Sequence, residues 1–141
     1  MKKIIFITGN KHKLEIANSV FSIYDIDVEN RDIEPNEIQE TDIEKIASFS
    51  ALEAAKTLEV PVIKTDVGYA EPNGYCKTFR MDTPLTIRIS ALGTGSVMDK
   101  LMNIEGQKAN YGSLTLDEKL EWWRNNDNYF HEFAKWYIER N

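Results

Sequence analysis

The chain has 141 residues, 42% hydrophobic and 28% charged, with a formal charge of -6. That length suits one domain with a real core over 1–141, and the acidic balance argues against a duplex-binding surface, which needs clustered Lys and Arg. A single cysteine, Cys76, excludes an internal disulfide, two histidines, His12 and His131, are too few for a zinc site, and no apolar run is long enough to cross a membrane.

The first predicted element is a β-branched run, Lys3-Ile4-Ile5-Phe6-Ile7, that ends in Thr8-Gly9-Asn10. A helix follows at once over 11–24, with Leu14, Ala17, Val20, Phe21 and Tyr24 at helical spacing. Strand, tight turn and helix N-terminus within a dozen residues point backbone N–H groups and a positive dipole end at one spot, which suits a phosphate. Gly9 is expected to allow the sharp turn and a close ligand approach, and Lys13 to add a cation. An ordinary βα turn with a solvated lysine has the same local pattern. The Ile4 to Ile7 run is also too short for a signal peptide, so a cytoplasmic setting is expected.

A second strand is predicted over 25–31, with Ile26 and Val28 on one face. Pro35-Asn36 breaks regular structure, and Thr41-Asp42-Ile43-Glu44 is a capping box opening a helix to residue 58. Pro61-Val62-Ile63 makes a short buried strand that runs into Lys64-Thr65-Asp66-Val67-Gly68-Tyr69. The order β-α-β-α-β implies a sheet with helical crossovers.

Residues 70–81 read as a loop with Pro72, Asn73 and Gly74 as turn formers. A strand over 85–89, with helix as the alternative, a flexible Ala91-Leu92-Gly93-Thr94-Gly95-Ser96 and a short helix over 97–103 follow. Thr115-Leu116-Asp117-Glu118 is a second capping box and starts a helical tail to residue 140. Its Trp122, Trp123, Tyr129, Phe130, Phe133, Trp136 and Tyr137 read as a core-covering helix or a dimer surface rather than a base-stacking platform.

Three segments together carry a resemblance. Thr8-Gly9-Asn10-Lys11-His12-Lys13 is similar to the T-G-N-x-x-K opening of the inosine triphosphate pyrophosphatase (Ham1-like) family. Pro35-Asn36-Glu37-Ile38-Gln39-Glu40 resembles its P-E-I-Q segment, with Asn36 inserted. Pro61-Val62-Ile63-Lys64-Thr65-Asp66-Val67-Gly68-Tyr69 resembles its P-V-I-x-[DE]-D-[ST]-G-[LF] strand and turn, and Asn73-Gly74-Tyr75 falls where the family has N-G-F. Leu114-Thr115-Leu116-Asp117-Glu118-Lys119 is similar to a late M-T-x-E-E-K.

The resemblance implies an α/β fold, a central twisted mixed β-sheet flanked by helices in the Maf/Ham1 architecture, with a reduced outer lobe. It implies a Mg²⁺-dependent hydrolysis of a nucleoside triphosphate to the monophosphate and pyrophosphate. Matched by motif, Thr8, Gly9, Asn10, Lys11, His12, Lys13, Thr65 and Val67 would contact substrate. Glu37 and Asp66 would hold the metal, and Asp66 would also orient or deprotonate the attacking water. A homodimer is the expected assembly, with neither duplex nucleic acid nor a membrane as partner.

The departures from the family cluster. Thr65 stands where an acid is usual, Val67 where Ser or Thr is usual, and Ser50 where the second helix usually carries a lysine. The F-G-Y-D segment that holds the base has no counterpart, and Trp123-Arg124-Asn125 stands in the register of S-H-R. Purine specificity is therefore not carried over. Two alternatives stay open: a catalytically impaired nucleotide-binding or interaction protein on the same scaffold, and a phosphohydrolase for a smaller phosphorylated substrate.

Overall fold

The computed structural model describes residues 2–33, 43–64, 67–81, 85–87, 92–104 and 110–140. In chain order the elements are β1 (Lys2–Ile7), α1 (Lys11–Phe21), β2 (Ile26–Arg31), α2 (Ile43–Leu58), β3 (Val62–Lys64), β4 (Gly68–Ala70), β5 (Cys76–Thr78), β6 (Leu85–Ile87), α3 (Val97–Leu101), β7 (Met102–Ile104), α4 (Leu116–Asn125) and α5 (Tyr129–Glu139). They form two compact units, Met1–Arg80 with Asp127–Asn141, and Met81–Asn126.

The first unit is built on a mixed sheet of order β2-β1-β3-β4-β5. β1 pairs in parallel with both β2 and β3, while β3-β4 and β4-β5 are antiparallel. The two crossovers are α1 and α2, as parallel pairing requires. Alternation along β1 sorts its side chains to two faces. Ile5 and Ile7 pack with Ala51, Ala54 and Ala55 of α2, together with Val62 and Ala70. Phe6 instead meets Phe130 of α5, their ring centroids 6.0 Å apart. Phe21 of α1 lies edge-on to the same Phe130 at 5.6 Å and against Phe133 at 5.5 Å. Helices therefore cover both faces of the sheet, and the aromatic part of α5 belongs to the core.

Three sequence expectations change here. The helix expected over 11–24 is α-helical only to Phe21; Ser22–Tyr24 tightens into a 3-10 turn, and Asp25 (φ 60°) breaks it in the left-handed region. The segment read as a loop over 70–81 contains β5 and the end of β4. Its turn lies where Pro72, Asn73 and Gly74 placed it: the Gly74 N–H donates to Glu71 O at 3.0 Å, the Tyr75 N–H to Asn73 Oδ1 at 3.0 Å, and Gly74 has φ 102°. The single helical tail is two helices, because Asn126 has extended backbone and Asn128 starts a new cap, its Oδ1 accepting from the Phe130 and His131 amides at 3.0 and 3.3 Å. The capping box proposed at Thr41 lies outside the described residues.

The second unit pairs β6 with β7 antiparallel. Its centre is Asn110, 1% exposed, whose Nδ2 donates to Leu92 O at 2.7 Å and Lys100 O at 2.8 Å. The short α3 ends one residue before β7 begins, so the helix expected over 97–103 stops at Leu101. The Thr115 capping box forms as expected: the Glu118 carboxylate accepts from the Thr115 N–H at 2.9 Å, and Thr115 Oγ1 from the Glu118 N–H at 3.2 Å. Burial of Lys119 (6% exposed) is served by the Tyr111 ring, 5.1 Å from its ammonium, and by the Thr94 carbonyl at 3.5 Å.

Candidate functional site

Parallel pairing brings the carboxyl ends of β1, β2 and β3 to one edge of the sheet, where α/β folds bind ligands. The register sets Ile7 beside Arg31 and beside Lys64. Three chain exits therefore neighbour one another: Thr8-Gly9-Asn10 after β1, Asp32 after β2, and the segment after Lys64 that leads to Val67. Thr65 and Asp66, which lie in that last segment, and Glu37 fall outside the described residues.

The Thr8-Gly9-Asn10 turn is tied together by its own side chains. Thr8 Oγ1 accepts from the Asn10 N–H at 3.1 Å. Asn10 is the N-cap of α1, its Oδ1 accepting from the His12 and Lys13 amides at 3.0 and 3.2 Å. Three amides of the turn and helix start are thus used internally. The consequence for chemistry lies in what remains. A hydroxyl that accepts still has its O–H to donate, and a carboxamide oxygen that accepts leaves its NH₂ free to donate. Thr8 and Asn10 therefore turn acceptors to backbone amides and keep donors to offer, the polarity an anion site needs.

Charge at the turn agrees. The first turn of α1 holds Lys11, His12 and Lys13 and no acid of its own, so the positive dipole end is not neutralised from within the helix. Lys11 and Gly9 are exposed, His12 and Lys13 half-buried, and Thr8 buried. The one described carboxylate against the turn comes from β2's exit: a Cβ built on Gly9 would lie 3.4 Å from Asp32 Oδ1. Gly9 does not have a positive φ, so the sharp turn does not require glycine on backbone grounds. Its lack of a side chain matters as open space beside Asp32 and the Asn10 cap.

Val67 is held in an unusual place. Its φ is 35°, left-handed backbone that a β-branched residue rarely adopts, yet its side chain is 1% exposed. The register pairs Lys64 with Gly68, leaving three connecting residues, and hairpins of that length take a left-handed residue at the last place. Burial of the Val67 side chain and its carbonyl's bond from the Phe79 N–H at 2.9 Å hold it there. With that side chain in the core, any contact of Val67 with a ligand would be through backbone. Ser50 is also buried, at 3% exposure, so α2 presents no cation at that position.

Sequence reading did not single out Asn30 or Asp32. Asn30 Nδ2 donates to Phe6 O at 3.1 Å and Thr8 O at 2.9 Å. The only local signal was an amide and an acid at the end of a strand whose neighbour carries the turn. Among the described residues no three His, Cys, Asp or Glu side chains gather as a metal cluster.

Residues 4–71 match the sequence profile of the Ham1 family. Over 66 residues the chain is 42% identical to the dITP/XTP pyrophosphatase of Methanothermobacter marburgensis, covering 47% of this chain and 35% of that protein. The inosine triphosphate pyrophosphatase of Ajellomyces capsulatus is 42% identical over 66 residues, again 47% of this chain and 35% of the relative. The matched region thus spans about a third of those relatives. The Staphylococcus aureus Ham1 protein superposes with a TM-score of 0.72 at 15% identity, over 99% of this chain and 100% of that one. A Mycobacterium abscessus nucleoside-triphosphatase (dITP/XTP pyrophosphatase) superposes with a TM-score of 0.57 at 12% identity, over 83% and 91% of the two chains. Both structures share the fold.

Proposed function

We propose, from the Ham1-family sequence that residues 4–71 carry, that this chain hydrolyses a nucleoside triphosphate to the monophosphate and pyrophosphate with Mg²⁺. The observation that carries the reading is the β1–α1 turn, where Thr8 and Asn10 spend their acceptors on backbone amides and keep their donors for an anion. Relatives named dITP/XTP pyrophosphatase support the reaction class. The base that is read is left open, since the segment that holds it in the family has no counterpart here.

In this reading the chain's residues bind and orient. Lys13 and the α1 dipole offset phosphate charge, and the Thr8 hydroxyl and Asn10 NH₂ donate to phosphoryl oxygens. Phosphoryl transfer needs such positioning and charge stabilisation more than covalent help. Glu37 and Asp66 would hold Mg²⁺, and Asp66 would take a proton from the attacking water. Their oxygen donors suit this hard ion, as does the exposed Asp32 carboxylate already standing at the turn. When bound, the metal supplies Lewis-acid polarisation of phosphoryl oxygens.

The test is a panel of nucleoside triphosphates with Mg²⁺, followed by pyrophosphate release, with Asp66→Asn beside the wild type. The expected result is turnover in the wild type and its loss in the variant. Undiminished turnover by Asp66→Asn would sink the role given to Asp66.

A second reading, nucleotide binding without turnover, is favoured by the buried Ser50 and buried Val67 where the family carries a lysine and a hydroxyl. Tight binding by a wild type that releases no pyrophosphate would select it.

A further inference from the structure

We propose that Asn30 is a positioning residue for the anion-holding turn, acting through the Thr8 carbonyl to aim the Gly9 N–H. The inference rests on the reading of that turn as the phosphate-holding wall.

Asn30 is paired with Phe6 in the β1–β2 register. The β1–β2 ladder ends at Ile7 beside Arg31, so the Thr8 carbonyl lies one residue past it. The Asn30 carboxamide supplies the donor the ladder no longer provides. Its Nδ2 spans Phe6 O at 3.1 Å and Thr8 O at 2.9 Å, bracketing Ile7. Two protons on one rigid amide set two carbonyl directions at once.

The effect passes to the turn through peptide planarity. Thr8 C=O and Gly9 N–H belong to the same peptide, and in a trans peptide they point opposite ways. The described peptides include no cis bond. Holding the Thr8 oxygen toward β2 therefore turns the Gly9 N–H away from β2. The Asn10 and Thr8 side chains do not touch that amide: their acceptors serve the amides of Asn10, His12 and Lys13. Alanine would release both carbonyls, and aspartate would set a carboxylate against them with no proton to give.

The experiment uses the full chain as wild type, Asn30→Ala, Asn30→Asp and Lys13→Ala. Inorganic triphosphate binding is measured by calorimetry with and without Mg²⁺, and amide hydrogen exchange residue by residue. The expected result for Asn30→Ala is about tenfold weaker binding, the size of one lost hydrogen bond. Exchange should quicken at Asn10, whose N–H is bonded to Thr8 Oγ1, and stay unchanged in β3 and α2. Asn30→Asp should bind more weakly still. Wild-type affinity in Asn30→Ala overturns the proposal, as does a loss of affinity with unaltered Asn10 exchange. Should wild type and Lys13→Ala both bind no triphosphate while Asn10 exchange still quickens in Asn30→Ala, the anion reading itself has failed, and Asn30 braces a turn with no ligand to serve.

Discussion

A side chain built on Gly9 would touch the Asp32 carboxylate at 3.4 Å, ordinary van der Waals contact rather than a clash. Since Gly9 also lacks a positive φ, Gly9→Ala should fold normally. Loss of chain entropy in the unfolded state makes it neutral or more stable by about 0.4–1 kcal/mol. The methyl group would nonetheless occupy the open side of the turn. The expected outcome is an unchanged or higher Tm with triphosphate affinity reduced at least several-fold, read by thermal melting and calorimetry. Equal affinity would show that no ligand approaches that backbone.

Lys13 lies in the first turn of α1, its own amide bonded to Asn10 Oδ1 at 3.2 Å. Lys13→Ala should weaken triphosphate binding by roughly 1.5–3 kcal/mol, the range for a charge-assisted bond. Salt should weaken the wild type more than the variant. A titration series in rising NaCl checks both, and parallel salt slopes would remove Lys13 from the site.

Phe133 is the hub of the first unit's aromatic core. It meets Phe21 at 5.5 Å, Phe79 at 5.7 Å, Tyr69 at 5.9 Å and Tyr137 at 5.1 Å. Phe133→Ala leaves a cavity among these rings and should cost about 3–5 kcal/mol in urea unfolding. A loss below about 1 kcal/mol would contradict the packing described.

Tyr69 is buried, and desolvation first, then the Glu71 carboxylate, pushes its phenol up to about 12. Tyr137 is raised by the same two causes. The unfolded chain ionises near pH 10, so it releases protons before the folded one does. Stability from Tyr69 is therefore full below pH 10 and is lost as pH rises through about 12. Ultraviolet absorbance should show a late-ionising phase that shrinks in Tyr69→Phe. An alkaline titration with all tyrosines together near pH 10 would refute it.

In the second unit, Gly93 has φ +89°, and a Cβ there would fall 2.1 Å from Gly112 O. That close approach lets the Thr94 N–H donate to Gly112 O at 2.7 Å. Gly93→Ala combines left-handed strain with a backbone clash and should cost at least about 1–3 kcal/mol locally. Limited proteolysis near Gly93 should accelerate, with exchange at Thr94 quickened. Unchanged protection would argue against the contact.

Legibility in the sequence tracked how local each feature was. The Thr115–Glu118 box is a contact over three residues and formed as the pattern required. The aromatic spacing of α5 marked a core face, and Phe130 and Phe133 are buried in it. β4 and β5 were missed because Gly68, Pro72, Asn73 and Gly74 give the segment a turn's composition, while its strands are set by pairing to β3 and to each other. The break before α5 was missed because its aromatic periodicity runs on across Asn126.

The sequence by itself determined the strand-turn-helix unit at β1 and α1 and the β-α-β-α-β order that follows, because apolar periodicity is written within a few residues, and its motifs carried the family resemblance. Only the tertiary structure decided how the turn is held and what it offers. Asn30 reaches Thr8 across 22 positions, and Asp32 stands beside Gly9, because parallel pairing sets the exits of β1 and β2 side by side. Which donors a turn presents depends on which acceptors its neighbours have already used, and those neighbours come from another strand.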